Sequence, residues 1–352
     1  MPRRLTSPFH RSGLSRERPA RYAPKEAKMS WKISLDTVSY PAYFYDGPPV
    51  SLEDSLLNAK KWGFDGIDIF PHRPVGFPLD LSKARRKKLR EMAGELGVEI
   101  ACVGPATDYR RSTHVLINRT EKEIIWTKEC IELAADLGAP LVRIFAGFVG
   151  YFYHRGWNLG YGNTAMWEAQ TIEVSQEKDF MIEWENAKAA IKECAKIAAD
   201  YGVTLALQNH PPLTNNTEET LEMIEEIDEP NLQCCLDLPL FESQTTDFVW
   251  KVVRRTGSRF VHSHLIGLRY LGGMNNSYGF KEVVMAEGQE NWTEFFKAAK
   301  AIGYNGYFAH EQCSPIVLDH HKQAGLDEVD RRFIEGIKWF RELTGKIDRG
   351  EL

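Results

Sequence analysis

The chain has no apolar run approaching the ~18 residues of a membrane-spanning helix, so no helical membrane span is expected. It has no C-x-x-C pair. Cys102, Cys130, Cys194, Cys234, Cys235 and Cys313 are scattered, and the adjacent Cys234 and Cys235 would point to opposite faces of a strand. That usage argues against a disulfide framework and suits a reduced, cytoplasmic protein. A G-x-G-x-x-G or Walker-type loop is also missing, which weakens a nucleotide-binding reading. Positive charge is not in excess: a net charge of −5 gives no reason to expect a nucleic-acid partner, because neutralising phosphates takes clustered Lys and Arg. The opening stretch "MPRRLTSPFHRSGLSRERPARYAPKEAK" is rich in Arg, Pro and Ser and has no apolar core, so it is not a secretory signal. Residues 1–29 are expected to form a disordered basic extension.

What is present is ordinary soluble composition, 43% hydrophobic and 26% charged over 352 residues. From Trp31 onward, β-rich runs alternate with amphipathic helices. Strands are expected at 32–37, 66–70, 98–103, 141–146, 203–208, 232–237, 260–265 and 306–311. Ser51 with Asp54 and Thr120 with Glu123 have capping-box spacing, and Gly97, Gly138 and Gly202 follow helical patterns. A last helix over 327–344 carries Val329, Phe333, Ile337, Phe340 and Leu343 at helical spacing. Eight strand–helix units fit one closed α/β barrel, a single (β/α)8 TIM barrel over 30–345 with a short tail at 346–352.

Strand parity then sorts the side chains, because neighbours point alternately into a barrel and out to its helices. Asp36, Asp68, Arg143, Gln208, Asp237, His262, His264 and Glu311 fall on the inward face. Val203, Leu205, Leu207, Val261, Ser263 and Leu265 fall outward. Gln208, Asp237, His264 and Glu311 end four consecutive strands, at the face where such barrels hold their chemistry. Buried carboxylates beside an imidazole call for a cation. Their O and N donors suit Mn²⁺ first, with Mg²⁺, Co²⁺ or Zn²⁺ as alternatives.

The stretches "WGFDGIDIF", "LALQNHPPLTNNTEETLEMIEEIDEPNLQCCLD", "FVHSHLIG" and "GYFAHE" resemble the xylose-isomerase-like barrel superfamily, the sugar phosphate isomerase/epimerase group. The resemblance implies a metal held by Glu, Asp, His and Glu from strands five to eight. Asp237, His264 and Glu311 match three places; Gln208 stands where Glu is usual. An amide oxygen can ligate a metal, but it takes no proton at neutral pH, so chemistry with two carboxylate bases is in doubt.

The resulting expectation is a metal-dependent isomerase or epimerase that abstracts a proton beside the carbonyl of a carbohydrate. Glu311, His154 or His210 would move the proton, while His72, Arg143, Tyr43 and Trp157 would contact the substrate. The resemblance also admits the α-subunit of a C-glycoside deglycosidase. That lyase eliminates the aglycone from a 3-oxo-C-glycoside with help from a small β-subunit. The aromatic, Gly-rich stretch "AGFVGYFYHRGWNLGYGNTAMW" could stack on either substrate. A non-catalytic sugar-binding barrel is the third reading, and a zinc-dependent repair endonuclease lacks enough His and Glu ligands. A homo-oligomer is expected. Plainer roles are assigned elsewhere. Arg143 is expected to pair with Asp68 inside the barrel, His262 to be structural, "KARRKKLRE" to be a solvated helix face, and His320 and His321 to lie in a surface loop.

Overall fold

Eight short strands, most of them carrying Val, Ile, Leu or Phe on the outward face, pair in parallel and close into a ring. A computed structural model describes residues 31–110, 119–148, 177–270, 280–318 and 322–352, and the backbone of 153–154 and 157–158. The strands are β1 Lys32–Asp36, β2 Gly66–Ile69, β3 Glu99–Val103, β4 Leu141–Ile144, β5 Thr204–Gln208, β6 Leu232–Cys235, β7 Phe260–Leu265 and β8 Tyr307–His310. They pair in sequence order and β8 pairs with β1, so the barrel has no free edge. The α-helices among the described residues are α1 Leu52–Trp62, α2 Lys83–Leu96, α3 Arg119–Leu137, α4 Glu177–Asp200, α5 Thr217–Ile227, α6 Thr246–Thr256, α7 Trp292–Ala301 and α8 Leu326–Arg349. No described helix is long and apolar enough to cross a membrane.

The outward side chains of the strands, such as Ile33, Leu35, Ile67, Val142, Leu205, Leu207 and Phe308, form one apolar layer with the helices. Inside the ring the apolar content is small: Cys102, Leu141, Ala206 and Cys235 make a separate cluster. Val261, expected outward, packs against this inner cluster, beside the register shift between Cys234 and Cys235. Around that plug the lining is polar, with Ser34, Asp36, Asp68, Arg143, His262 and His264 all buried.

Local signals explain most helix ends. Ser51 accepts the Asp54 N–H at 3.0 Å and caps α1, which stops at Gly63 with φ of 87°. Thr120 behaves differently from its expected cap. It lies within α3, where its hydroxyl donates to Tyr109 O at 3.3 Å, while Glu123 reaches the Asp108 N–H. The last helix continues to Arg349, past the expected domain end at 345. Arg86 of the basic run in α2 is buried, donating to Leu81 O and Pro78 O and pairing with Asp136 at 2.7 Å. An antiparallel hairpin, Gly267–Tyr270 with Phe280–Val283, follows β7 and was not expected. Gly267 is required there, since a Cβ would meet the Val283 and Val284 carbonyls at 2.9 Å. Residues 1–29, His320 and His321 lie outside the described residues.

Candidate active site

Gln208 is the last residue of β5, so its inward side chain emerges at the C-terminal mouth, level with Cys235 on β6. Its amide Nε2 donates to Asp237 Oδ2 at 2.6 Å, and its Oε1 is buried without a partner. Asp237 follows β6 by two residues. Its Oδ1 accepts the His264 backbone N–H at 2.8 Å, and Oδ2 lies 3.0 Å from His264 Nδ1. Asn209 braces the same residue from behind: its Oδ1 accepts the Asp237 N–H at 2.8 Å and its Nδ2 donates to Asp237 O at 3.2 Å. The polar run that ends β5 therefore divides its work. Gln208 meets the Asp237 carboxylate, Asn209 fixes the Asp237 backbone, and His210 turns into the next loop.

Burial opposes ionisation of Asp237, but the charge and hydrogen bonds of His264 outweigh it and hold the carboxyl below its usual range. Burial likewise disfavours a charged His264, yet Asp237 and Glu311 raise its pKa to about 9. Glu311 follows β8 directly and is only partly exposed at the mouth. Burial, reinforced by Asp36 and Asp237 against the pull of His264 and Arg143, lifts its carboxyl to about 8. Asp36, the end of β1, has Oδ2 3.8 Å from His264 Nε2, and burial followed by Asp68 raises it to about 6.

Three side-chain groups have the donor set for a cation: Cys235, Asp237 and His264; Asp36, Asp68 and His264; and Asp68, Cys102 and His262, each with ligand atoms within 4.8 Å of one another. Gln208 adjoins the first through its Nε2 contact to Asp237, and its buried amide oxygen has no partner. Glu311 belongs to none of these groups, but it shares electrostatic contact with Asp237 and His264. A buried, unpaired oxygen next to a carboxylate and an imidazole is what a divalent cation would satisfy.

Arg143 does not pair with Asp68. Asp68 Oδ2 lies 2.7 Å from His262 Nε2, across the ring, although the contact lacks hydrogen-bond geometry. Arg143 instead leans over the Phe145 ring at 4.2 Å. His210 is buried and packs on Phe145 and Phe148, with Nδ1 2.6 Å from Pro211 O. Burial lowers its pKa to about 3, so the ring is neutral. His72 is also neutral, lowered to about 4 by burial and then by Arg143; its Nε2 accepts the Ala106 N–H at 3.4 Å. Tyr43 is exposed and donates its hydroxyl to Arg73 O. The side chains of His154 and Trp157 lie outside the described residues.

Parity finds Asp237 and His264 from sequence, but not Asn209, whose parity turns it away from the barrel interior and whose role is to hold the Asp237 backbone. Cys235, two residues before Asp237, is a further possible donor that the sequence reading did not count.

A family model described as xylose isomerase-like TIM barrel matches residues 56–343. D-psicose 3-epimerase from Ruminiclostridium cellulolyticum is 26% identical over 274 residues, 76% of this chain and 80% of its own length. An uncharacterized protein of Methanocaldococcus jannaschii is 24% identical over 270 residues, 75% of this chain and 80% of its own. Among solved structures, 3-keto-D-glucoside 4-epimerase from E. coli is similar with a TM-score of 0.62 at 14% identity, covering 89% of this chain and 100% of that one.

Proposed function

The chain belongs to the xylose isomerase-like TIM barrel family, and from that premise we propose that it is a divalent-cation-dependent enzyme that removes a proton beside the carbonyl of a carbohydrate. The observation that carries this reading is the orphaned Gln208 Oε1 beside the Asp237–His264 pair. Asp237, His264 and Gln208 would hold the cation, with Glu311 as the fourth ligand. Such a cation, when bound, polarises a carbonyl and stabilises negative charge on its oxygen.

The remaining work falls to the chain's own groups. Asn209 and the His264 N–H keep the Asp237 carboxylate in place. Glu311 is the group best placed to take the proton, since its carboxyl sits at the mouth in electrostatic contact with Asp237 and His264. His210, neutral and lowered to about 3, is a much weaker base. Gln208 favours single-base chemistry. Isomerisation through a proton moved on one face of the substrate meets that condition. So does β-elimination of the aglycone from a 3-oxo-C-glycoside, the second reading; two-carboxylate epimerisation does not.

Incubating the Mn²⁺-loaded protein with keto-sugars in D₂O tests the proposal. Deuterium is expected at the carbon beside the carbonyl, and the signal should fall by about 10²–10⁴ in Glu311→Gln. Aglycone release from a 3-oxo-C-glucoside would select the elimination. Deuterium exchange that persists in Glu311→Gln would remove Glu311 as the base, and no exchange and no release from any sugar would sink the enzyme reading.

A further inference from the structure

Arg143 is 5% exposed, and a buried guanidinium is costly unless an anion meets it. Asp68 faces His262 at 2.7 Å and Asp237 faces His264 at 3.0 Å, while Asp36 and Glu311 favour the charge of Arg143 through space without an ion-pair contact. Among the described residues, no carboxylate comes within 4.0 Å of Arg143. Among the described residues its side chain makes only long hydrogen bonds to backbone carbonyls, Nη1 to Pro105 O at 3.3 Å and Nη2 to Gly104 O at 3.5 Å, and Nε has no partner.

The side chain is nonetheless firmly held. Its guanidinium lies 4.2 Å over the Phe145 ring, which is backed by Phe148 at 5.1 Å and His210 at 4.3 Å. Gly104 makes room for it, since a Cβ there would come within 3.0 Å of Nη2. The aromatic column occupies one face of the plane and leaves N–H donors unused. Asp36, Asp237, His264 and Glu311 all feel the charge of Arg143, so it lies among the groups assigned to the cation and the proton.

We propose that Arg143 is a carboxylate receptor and that the substrate is a sugar acid, a keto-sugar whose own carboxylate pairs with this guanidinium. The inference rests on the proposed carbohydrate chemistry and names its substrate class. A neutral hydroxyl would not compensate a desolvated cation, whereas a planar carboxylate matches a guanidinium edge with two parallel hydrogen bonds. A phosphate dianion would bring more negative charge than one guanidinium balances into a mouth that already holds Asp36 and Asp237.

Calorimetric binding to the Mn²⁺-loaded full chain tests it, using matched panels of keto-uronates, the corresponding neutral ketoses and their 6-phosphates. Wild type is expected to bind the acids at least about 10-fold more tightly than the neutral sugars. Arg143→Gln should erase that preference while keeping its Mn²⁺ content, and Arg143→Lys should retain only part of it. If Arg143→Gln fails to fold, the wild-type panel and Arg143→Lys decide. Equal affinities in wild type, a preference that survives in Arg143→Gln, or tighter binding of the phosphates overturns the inference. Neutral ketoses that exchange deuterium with no preference for acids overturn this inference alone. A protein that binds no sugar of any panel overturns it together with the proposed function.

Discussion

Gln208 donates to Asp237 Oδ2 at 2.6 Å and leaves its own oxygen buried and unpaired. A glutamate at this position would set two carboxylates against each other in the absence of a cation, and would add a negative ligand in its presence. Gln208→Glu is therefore expected to destabilise chelator-treated protein by about 1–3 kcal/mol and to enlarge the rise in Tm on adding Mn²⁺. Thermal scans with and without chelator measure both effects; a variant indistinguishable from wild type in each would remove the cation from this site. The inward placement of Asp237 and His264 was legible from alternation alone. The partners of Arg143 and Asp68 were not, because two inward residues on different strands can each choose among several neighbours. Asp68 met His262 from the far side of the ring, and Arg143 settled on an aromatic face.

Among the elements, the hairpin Gly267–Tyr270 with Phe280–Val283 is tied to the segment just after Glu311 through one buried acid. Glu282 Oε2 accepts the Ser314 N–H at 3.0 Å and the Ser314 hydroxyl at 2.6 Å. Burial raises its carboxyl from 4.5 to about 7, so between those values the folded chain holds a proton that the unfolded chain has released. The stability this group contributes is full below pH 4.5 and is lost as pH rises through about 7. Glu123 and Glu290, also raised to about 7 by burial, act in the same direction. Wild type should lose stability between pH 5 and 8, and Glu282→Gln should lose less, by up to roughly 3 kcal/mol. Urea melts across that range report it; parallel pH profiles would exclude Glu282 as a contributor. This hairpin escaped sequence reading because its strands are short and the stretch between them, "LGGMNNSYG", carries no alternation. The barrel strands were legible because several are flanked by helices with readable start and stop signals, such as Ser51, Gly63, Ser82 and Gly97. Thr120 shows the limit of such signals: its spacing to Glu123 was right, but the Tyr109 carbonyl and the Asp108 N–H offered better partners.

At the scale of the whole molecule, the first and last strands must meet for the ring to close, and α8 covers that seam. Trp31, Phe296, Phe308 and Phe340 form an aromatic cluster there, with Phe340 at 5.4 Å from Phe296 and 5.7 Å from Phe308. Phe340→Ala is expected to cost about 3–5 kcal/mol in chemical denaturation. A loss under about 1 kcal/mol would mean that α8 is not what seals the ring. The proposed chemistry depends on that closure, because Glu311 just after β8 and Asp36 at the end of β1 belong to the same mouth as Asp237 and His264. Its central claim is that this mouth binds a divalent cation. Plasma mass spectrometry of the full chain after incubation with Mn²⁺ and desalting, beside Asp237→Asn and Glu311→Gln, tests it most directly. About one cation per chain is predicted in wild type, with marked loss in both variants. Wild type that retains none, or variants that retain as much as wild type, would contradict it.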